Sequence, residues 1–206
     1  MSTVFHSQYY AHELTRRFSS EKLEKLSQSL LNATVDLNPH QIEAALFAFR
    51  SPLSRGAILA DEVGLGKTIE AGLIISQLWA ERKRRILIIL PAALREQWSR
   101  ELLEKFFITS IILESKNFRQ LIKQGNENPF DQADTIILCS YHFARAKATD
   151  ILKVPWDLVV VDEAHRLRNV YRQDNKIART LLAAIGNRPG ANRLRTARDT
   201  QIHARE

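Results

Sequence analysis

Aliphatic residues in this chain fall into short unbroken runs, separated by stretches in which apolar positions recur every three or four residues. The runs at 57–60, 86–90, 108–113, 135–140 and 158–162 predict strands. They are continuously apolar rather than alternating, which is the pattern of strands buried on both faces of a parallel sheet. The stretches at 68–80, 92–106, 117–124 and 142–152 predict helices. In the second of these Leu94, Trp98, Leu102 and Phe106 recur every four residues, so one helix face lies against the sheet. Strand and helix alternate throughout, which predicts an α/β fold: a parallel sheet with helices on both faces, and ligands beyond the carboxyl ends of its strands.

Ahead of this core the pattern is helical only. Leu23, Leu26 and Leu30 recur at helical spacing behind Ser19 and Ser20, which suit a cap, and a polar break at 32–38 follows. A second helix is expected from His40, with Ile42, Leu46 and Phe49 on one face, ending before Ser51-Pro52. The expected organisation is an N-terminal helical extension over 1–36, an α/β lobe over 37–187, and an irregular basic tail over 188–206. That tail shows no apolar strand, no helical face and few large hydrophobic residues.

Composition adds limits to this picture. With 206 residues, 45% hydrophobic and 26% charged, the chain is long enough for a sizeable core and ordinary for a soluble fold. No apolar run is long enough to span a bilayer, and the first ten residues lack the basic start and apolar centre of a secretory signal, so a cytoplasmic location is expected. The single Cys139 lies inside an apolar run and reads as a buried free thiol. The formal charge of +7 favours a polyanionic partner. Arg82-Lys83-Arg84-Arg85 are open to two readings, phosphate contact or a solvated turn that complements a helix C-terminus. Arg188, Arg193, Arg195, Arg198 and Arg205 place part of the charge in the tail.

Chemistry enters at 60–72, which reads A-D-E-V-G-L-G-K-T-I-E-A-G between a short strand and a helix. Glycines here let backbone N–H groups of Asp61, Glu62, Val63, Gly64, Leu65 and Gly66 turn around phosphate oxygens, while the helix that follows presents its positive end. Lys67 would then reach the β- and γ-phosphates and the Thr68 hydroxyl would ligate Mg²⁺. Asp61 stands where the general G-x-x-x-x-G-K-[ST] pattern has its first glycine, and an ordinary glycine-bearing turn is the alternative reading. A second motif, D-E-A-H, ends the aliphatic run at 158–162. At the ligand edge of a parallel sheet, Asp162 would hold the Mg²⁺ that bridges the phosphates, and Glu163 would orient and deprotonate the attacking water. Alternatively the pair simply opens a helix, where acidic residues suit the dipole. The six histidines and one cysteine lack the spacing of a metal cluster, so the expected metal is the Mg²⁺ that arrives with ATP.

The D-E-x-G-L-G-K-T loop and the D-E-A-H box, in this order, resemble the first motor lobe of the Swi/Snf-type double-stranded-DNA translocases of helicase superfamily two, especially bacterial members that act with RNA polymerase. The resemblance covers about 37–184 and implies a RecA-like P-loop lobe that binds ATP and Mg²⁺, belonging to a DNA-dependent ATPase. In that branch an aspartate at the place of Asp61 is usual. Leu37-Asn38-Pro39-His40-Gln41 is similar to the segment whose glutamine reads adenine. That gives Gln41 a role, although an exposed polar residue at a helix start is also open. Pro91-Ala92 and Ser140-Tyr141 resemble loops that touch the DNA backbone, so Ala92 and Ser140 are candidate contacts, whereas the spacing of Trp98 marks it as core. His165 would couple the acidic pair to the interface between lobes, or serve structurally.

The resemblance also implies a strand ending in a Ser/Thr-Ala-Thr motif soon after 176–184, and a second lobe carrying an arginine finger. Thr196-Ala197 is at most an echo of that motif. A frame shifted or truncated near Arg188 is the expectation, and with it a chain that binds nucleotide weakly and hydrolyses it negligibly alone. Two other readings stay open: a non-catalytic, nucleotide-responsive module that binds DNA or RNA polymerase, and a remnant that lacks the last strand of its sheet and does not fold stably.

Overall fold

The unbroken aliphatic runs become strands of one six-stranded, all-parallel sheet. The computed structural model describes residues 38–50, 57–59, 67–164 and 192–196. The helix expected near 19–31, the loop 60–66, His165 and the helix expected near 176–184 lie outside the described residues.

In chain order the elements are α1 (Pro39–Arg50), β1 (Ala57–Leu59), α2 (Lys67–Ala80), β2 (Ile86–Leu90), a 3₁₀ turn (Ala92–Leu94), α3 (Arg95–Phe106), β3 (Ser110–Leu113), α4 (Ser115–Lys123), β4 (Ile136–Ser140), α5 (Tyr141–Ala146), α6 (Ala148–Lys153), β5 (Leu158–Val161) and β6 (Asn192–Thr196). The strands lie in the order β1-β6-β5-β2-β4-β3. The helix expected over 92–106 is divided, with a 3₁₀ turn entering α3, and that expected over 142–152 breaks at Lys147. At Lys147 the backbone leaves helical geometry (φ −116°, ψ 23°). The break lets both short helices bury apolar residues, Phe143 and Ala144 from one and Ile151 from the other.

Period-two alternation in the buried strands divides the core in two. Ile86, Ile88, Leu90, Ile136, Leu138, Leu158 and Val160 face a layer built from α2, α3 and Ala45 of α1. Leu87, Ile89, Ile137, Cys139, Val159 and Val161 face the other layer, where Phe118, Phe130, Phe143 and Trp156 form a cluster of tilted and edge-on rings. Each buried aliphatic side chain contributes about 1.5–3 kcal/mol relative to exposure, so the central strands hold both layers to the sheet. Helices α2 and α3 approach closely at Gly72, where a Cβ would meet the Phe106 ring at 2.2 Å. Phe106 is the last of the residues spaced by four and is 6% exposed. Helix α3 then ends at Phe107, whose left-handed backbone (φ 55°) donates its N–H to the carbonyls of Leu102 and Leu103.

One expectation needs correction. Within the region expected to be an irregular tail, Asn192–Thr196 is a strand, parallel to β1 on one side and β5 on the other. Leu194 lies opposite Ala57 and Val160, and Thr196 lies opposite Leu59. The physical reason is main-chain pairing: a strand inserted between two others satisfies backbone N–H and C=O groups on both sides, and this does not require an aliphatic sequence. The premise that the sheet lacks its last strand falls with it.

Candidate nucleotide site

The connections show where a ligand crevice should form. The chain leaving β2 crosses toward β3 on one flank of the sheet, and the chain leaving β5 goes to β6 on the other. Adjacent strands whose connections diverge in this way open a crevice at their carboxyl ends. Asp162 is the first residue beyond β5, and Ala92 lies just beyond β2.

Asp162 is held from four directions. Its N–H donates to the Ile89 carbonyl at 2.9 Å, extending the β5–β2 ladder by one bond. The Tyr141 hydroxyl donates to its carbonyl oxygen. The Trp98 indole N–H donates to Oδ2 at 3.0 Å, and the Glu163 N–H donates to Oδ1 at 2.8 Å. Tyr141 and Trp98 come from opposite faces of the sheet, so both core layers contribute to this one residue. Glu163 follows in a left-handed conformation (φ 54°). Asp162 and Glu163 form a turn that leads into helical geometry at Ala164. A left-handed non-glycine residue costs roughly 1–2 kcal/mol, and such strain concentrates at functional sites.

Lys67 and Thr68 begin α2, with both side chains half-buried. The first-turn N–H groups of a helix this long face the same edge as Asp162 and suit an anion. The glycine loop residues Asp61, Glu62, Val63, Gly64, Leu65 and Gly66 lie outside the described residues, as does His165. Gln41 is 2% exposed, not an exposed residue of a helix start, and its Oε1 accepts the Asn38 N–H at 3.1 Å. This bond sets the direction of the Gln41 amide at the start of α1, which packs on α2. Ser140 is half-buried at the end of β4, where its hydroxyl caps α5 by accepting the Phe143 N–H at 3.2 Å. Ala92 is exposed.

Among the described residues no group of three or more His, Cys, Asp or Glu side chains stands ready to hold a metal. A hydroxyl from Thr68 and a carboxylate from Asp162 are hard oxygen donors, and Mg²⁺ commonly takes only one or two protein ligands and completes its shell with phosphate and water. The donor set therefore fits that ion.

Other expectations resolve through burial and pairing. Trp98 is 2% exposed and belongs to the core, as its spacing implied, but its bond to Asp162 was not legible from spacing. Tyr141, present in the sequence only as the neighbour of Ser140, was missed in the same way. Glu70, in the first turn of α2, is fully buried and had no signal beyond its place in the motif. The basic run at 82–85 lies at the amino end of β2, the edge away from Asp162. Lys83 pairs with Glu81, Arg85 pairs with Asp131, and Arg84 lies over the Trp79 ring at 4.1 Å. These contacts favour the local turn reading over phosphate contact. Cys139 is fully buried, and burial pushes its thiol up to about 12. No helix among the described residues is long and apolar enough to cross a membrane.

Comparison with known proteins agrees with this architecture. The SNF2-related domain family matches residues 12–185. RNA polymerase-associated protein RapA of Erwinia tasmaniensis is 40% identical over 156 residues, which is 74% of this chain and 16% of that protein. RapA of Yersinia pseudotuberculosis serotype O:1b is 37% identical over the same length and the same shares. The chain thus spans about a sixth of the length of these curated relatives. Among solved structures, the Sulfolobus solfataricus SWI2/SNF2 ATPase core in complex with dsDNA superposes with a TM-score of 0.65 at 23% identity, covering 82% of this chain and 33% of that one. The described part has the RecA-like fold of that core, and the chain belongs to the SNF2-related domain family.

Proposed function

We propose that this chain is the ATP-binding lobe of a DNA-dependent ATPase and translocase, and that it needs a second lobe to be productive. The observation that carries the reading is Asp162: a carboxylate at the sheet's ligand edge, with each oxygen already given one donor by the fold. A group held this way has a preset orientation, which is what electrostatic catalysis requires. In this reading the backbone of 61–66 cradles the phosphates, Lys67 neutralises the β- and γ-phosphates, and Gln41 pairs with the adenine edge. Thr68 and Asp162 would hold Mg²⁺, which when bound spreads the charge of the transferring phosphoryl group. Glu163 orients the attacking water and accepts its proton, and His165 couples the acidic pair to the lobe interface. Ala92 and Ser140 face the DNA backbone.

Double-stranded DNA is the proposed substrate, supported by the fold shared with a core solved on dsDNA, and RNA polymerase is the proposed partner, supported by the RapA likeness. The cytoplasm is the proposed location. An arginine delivered from an opposing lobe is worth about 10³–10⁵ in rate, so the lobe alone should bind nucleotide weakly and turn it over negligibly. Fluorescent-ATP titration and phosphate release on the purified chain, with and without duplex DNA, test this. Mg²⁺-dependent binding lost in Lys67→Ala, together with negligible turnover, is the expected outcome. DNA-stimulated turnover by the 206-residue chain, abolished by Lys67→Ala, would overturn the half-motor reading.

A further inference from the structure

We infer that Trp98 is a positioning residue for Asp162, tying the orientation of its carboxylate to helix α3 and so to the exposed segment that enters that helix. The inference rests on the metal-binding role proposed for Asp162. A core tryptophan usually satisfies its N–H on a backbone carbonyl, as Trp156 does here with the Ile151 carbonyl at 2.9 Å. Trp98 instead reaches a carboxylate 64 residues away in sequence, at 3.0 Å, with its ring 2% exposed. The ring cannot swing away without leaving the layer it shares with Leu102, Phe106 and Ile88. With Oδ1 accepting from the Glu163 N–H and Oδ2 from the indole, both carboxylate oxygens are oriented by the fold.

The geometry makes α3 a rigid lever. It begins directly after Ala92–Leu94, where Ala92 and Ala93 are exposed, and the Arg95 Nε–H donates back to the Ala92 carbonyl at 3.0 Å, fastening that segment to the helix. Trp98 follows within the first turn of α3. A displacement of the 92–94 segment would thus be transmitted through one helical turn to the indole N–H and on to Asp162.

The test compares nucleotide affinity in Mg²⁺ with that in EDTA, using fluorescent ATP on the full chain. Trp98→Phe keeps an aromatic ring but removes the donor. The Mg²⁺-to-EDTA affinity ratio should fall about tenfold, the scale of one hydrogen bond to a charged group, while affinity in EDTA stays near that of the parent. Replacing Trp98 by its benzothienyl isostere, which keeps the shape and lacks the N–H, guards against misfolding and should give the same fall. In an Asp162→Asn background, where the ratio is already lost, Trp98→Phe should cause no further change. The Trp98 indole ¹H–¹⁵N resonance should also shift on Asp162→Asn and on adding Mg²⁺ with ATP. An unchanged ratio in both Trp98 variants, with the ratio lost in Asp162→Asn, would overturn the role of Trp98 alone. An unchanged ratio in Asp162→Asn would overturn the metal assignment, and the inference with it.

Discussion

The two edges of the sheet use charge in opposite ways. At the amino edge Arg85 pairs with Asp131 through its side chain, and its backbone N–H donates to Asp157 Oδ2 at 3.0 Å. Lys83 pairs with Glu81 and Arg84 lies over the Trp79 ring, so Lys83, Arg84 and Arg85 of the most conspicuous basic run all have partners at this edge. At the carboxyl edge the fold aims the polar groups of the described residues. Asp162 donates its N–H to β2 and accepts from α3, α5 and its own turn, and Lys67 and Thr68 start a helix whose dipole faces the same edge. At the amino edge the basic side chains are matched by carboxylates and a ring, whereas at the carboxyl edge N–H donors orient a carboxylate that lies where a parallel sheet takes its ligand. The net charge of +7 says little about which edge is functional.

The largest effect should come at the carboxyl edge. Lys67→Ala is expected to weaken Mg²⁺-dependent nucleotide binding by about 100-fold, the scale of losing a charged hydrogen-bonding partner, with little change in thermal stability. Arg85→Ala in the same titration should leave binding unaltered, and equal losses in both variants would dissolve the contrast between the edges.

Next in size is the packing between the edges. Gly72→Ala pushes a methyl into the Phe106 ring and should cost about 1–3 kcal/mol in denaturant unfolding, with Phe106→Leu restoring part of the loss. No rescue would mean that the α2–α3 approach is not what requires the glycine.

Cys139 provides a pH handle in the same core. Its folded thiol is pushed up to about 12 by burial, above the ordinary value near 9. The neutral thiol's contribution is present below pH about 9 and is lost as pH rises toward 12, because the unfolded chain releases the proton first. The slope should be about 1.4 kcal/mol per pH unit in that window. Cys139→Ala should flatten this part of the stability profile while lowering stability at every pH by leaving a small cavity.

The smallest effect belongs to the amino edge. The Arg85–Asp131 pair is exposed at 38% and 45%, so Asp131→Ala should change stability by less than about 1 kcal/mol, and less still in high salt. A larger loss would show that the amino edge is more than a set of satisfied turns.

Much of the fold was legible because its central strands carry the signal in their side chains. The runs within 86–90, 135–140 and 158–162 can be buried only on both faces, and they appear as β2, β4 and β5 with at most a residue trimmed at an end. Strand β6 was illegible for the opposite reason. N-R-L-R-T has one aliphatic residue in five, and its place comes from main-chain bonds to β1 and β5 that no local pattern encodes. In the site, Lys67, Thr68, Asp162 and Glu163 were visible as motif members, and Gln41 was visible only through resemblance. Its burial came from the packing of α1 on α2.

By itself, then, the sequence determined the alternation of buried strand and amphipathic helix, the parallel sheet, and the acidic pair at a strand's end. Hydrophobic period and turn chemistry are properties of neighbouring residues, so they can be read along the chain. Only the tertiary structure decided that a polar strand completes the sheet, that the basic run is consumed at the wrong edge, and that Trp98 and Tyr141 hold Asp162 from opposite faces. Those outcomes depend on groups distant in sequence meeting across a sheet, and the bonds they make acquire their partners only when the layers close.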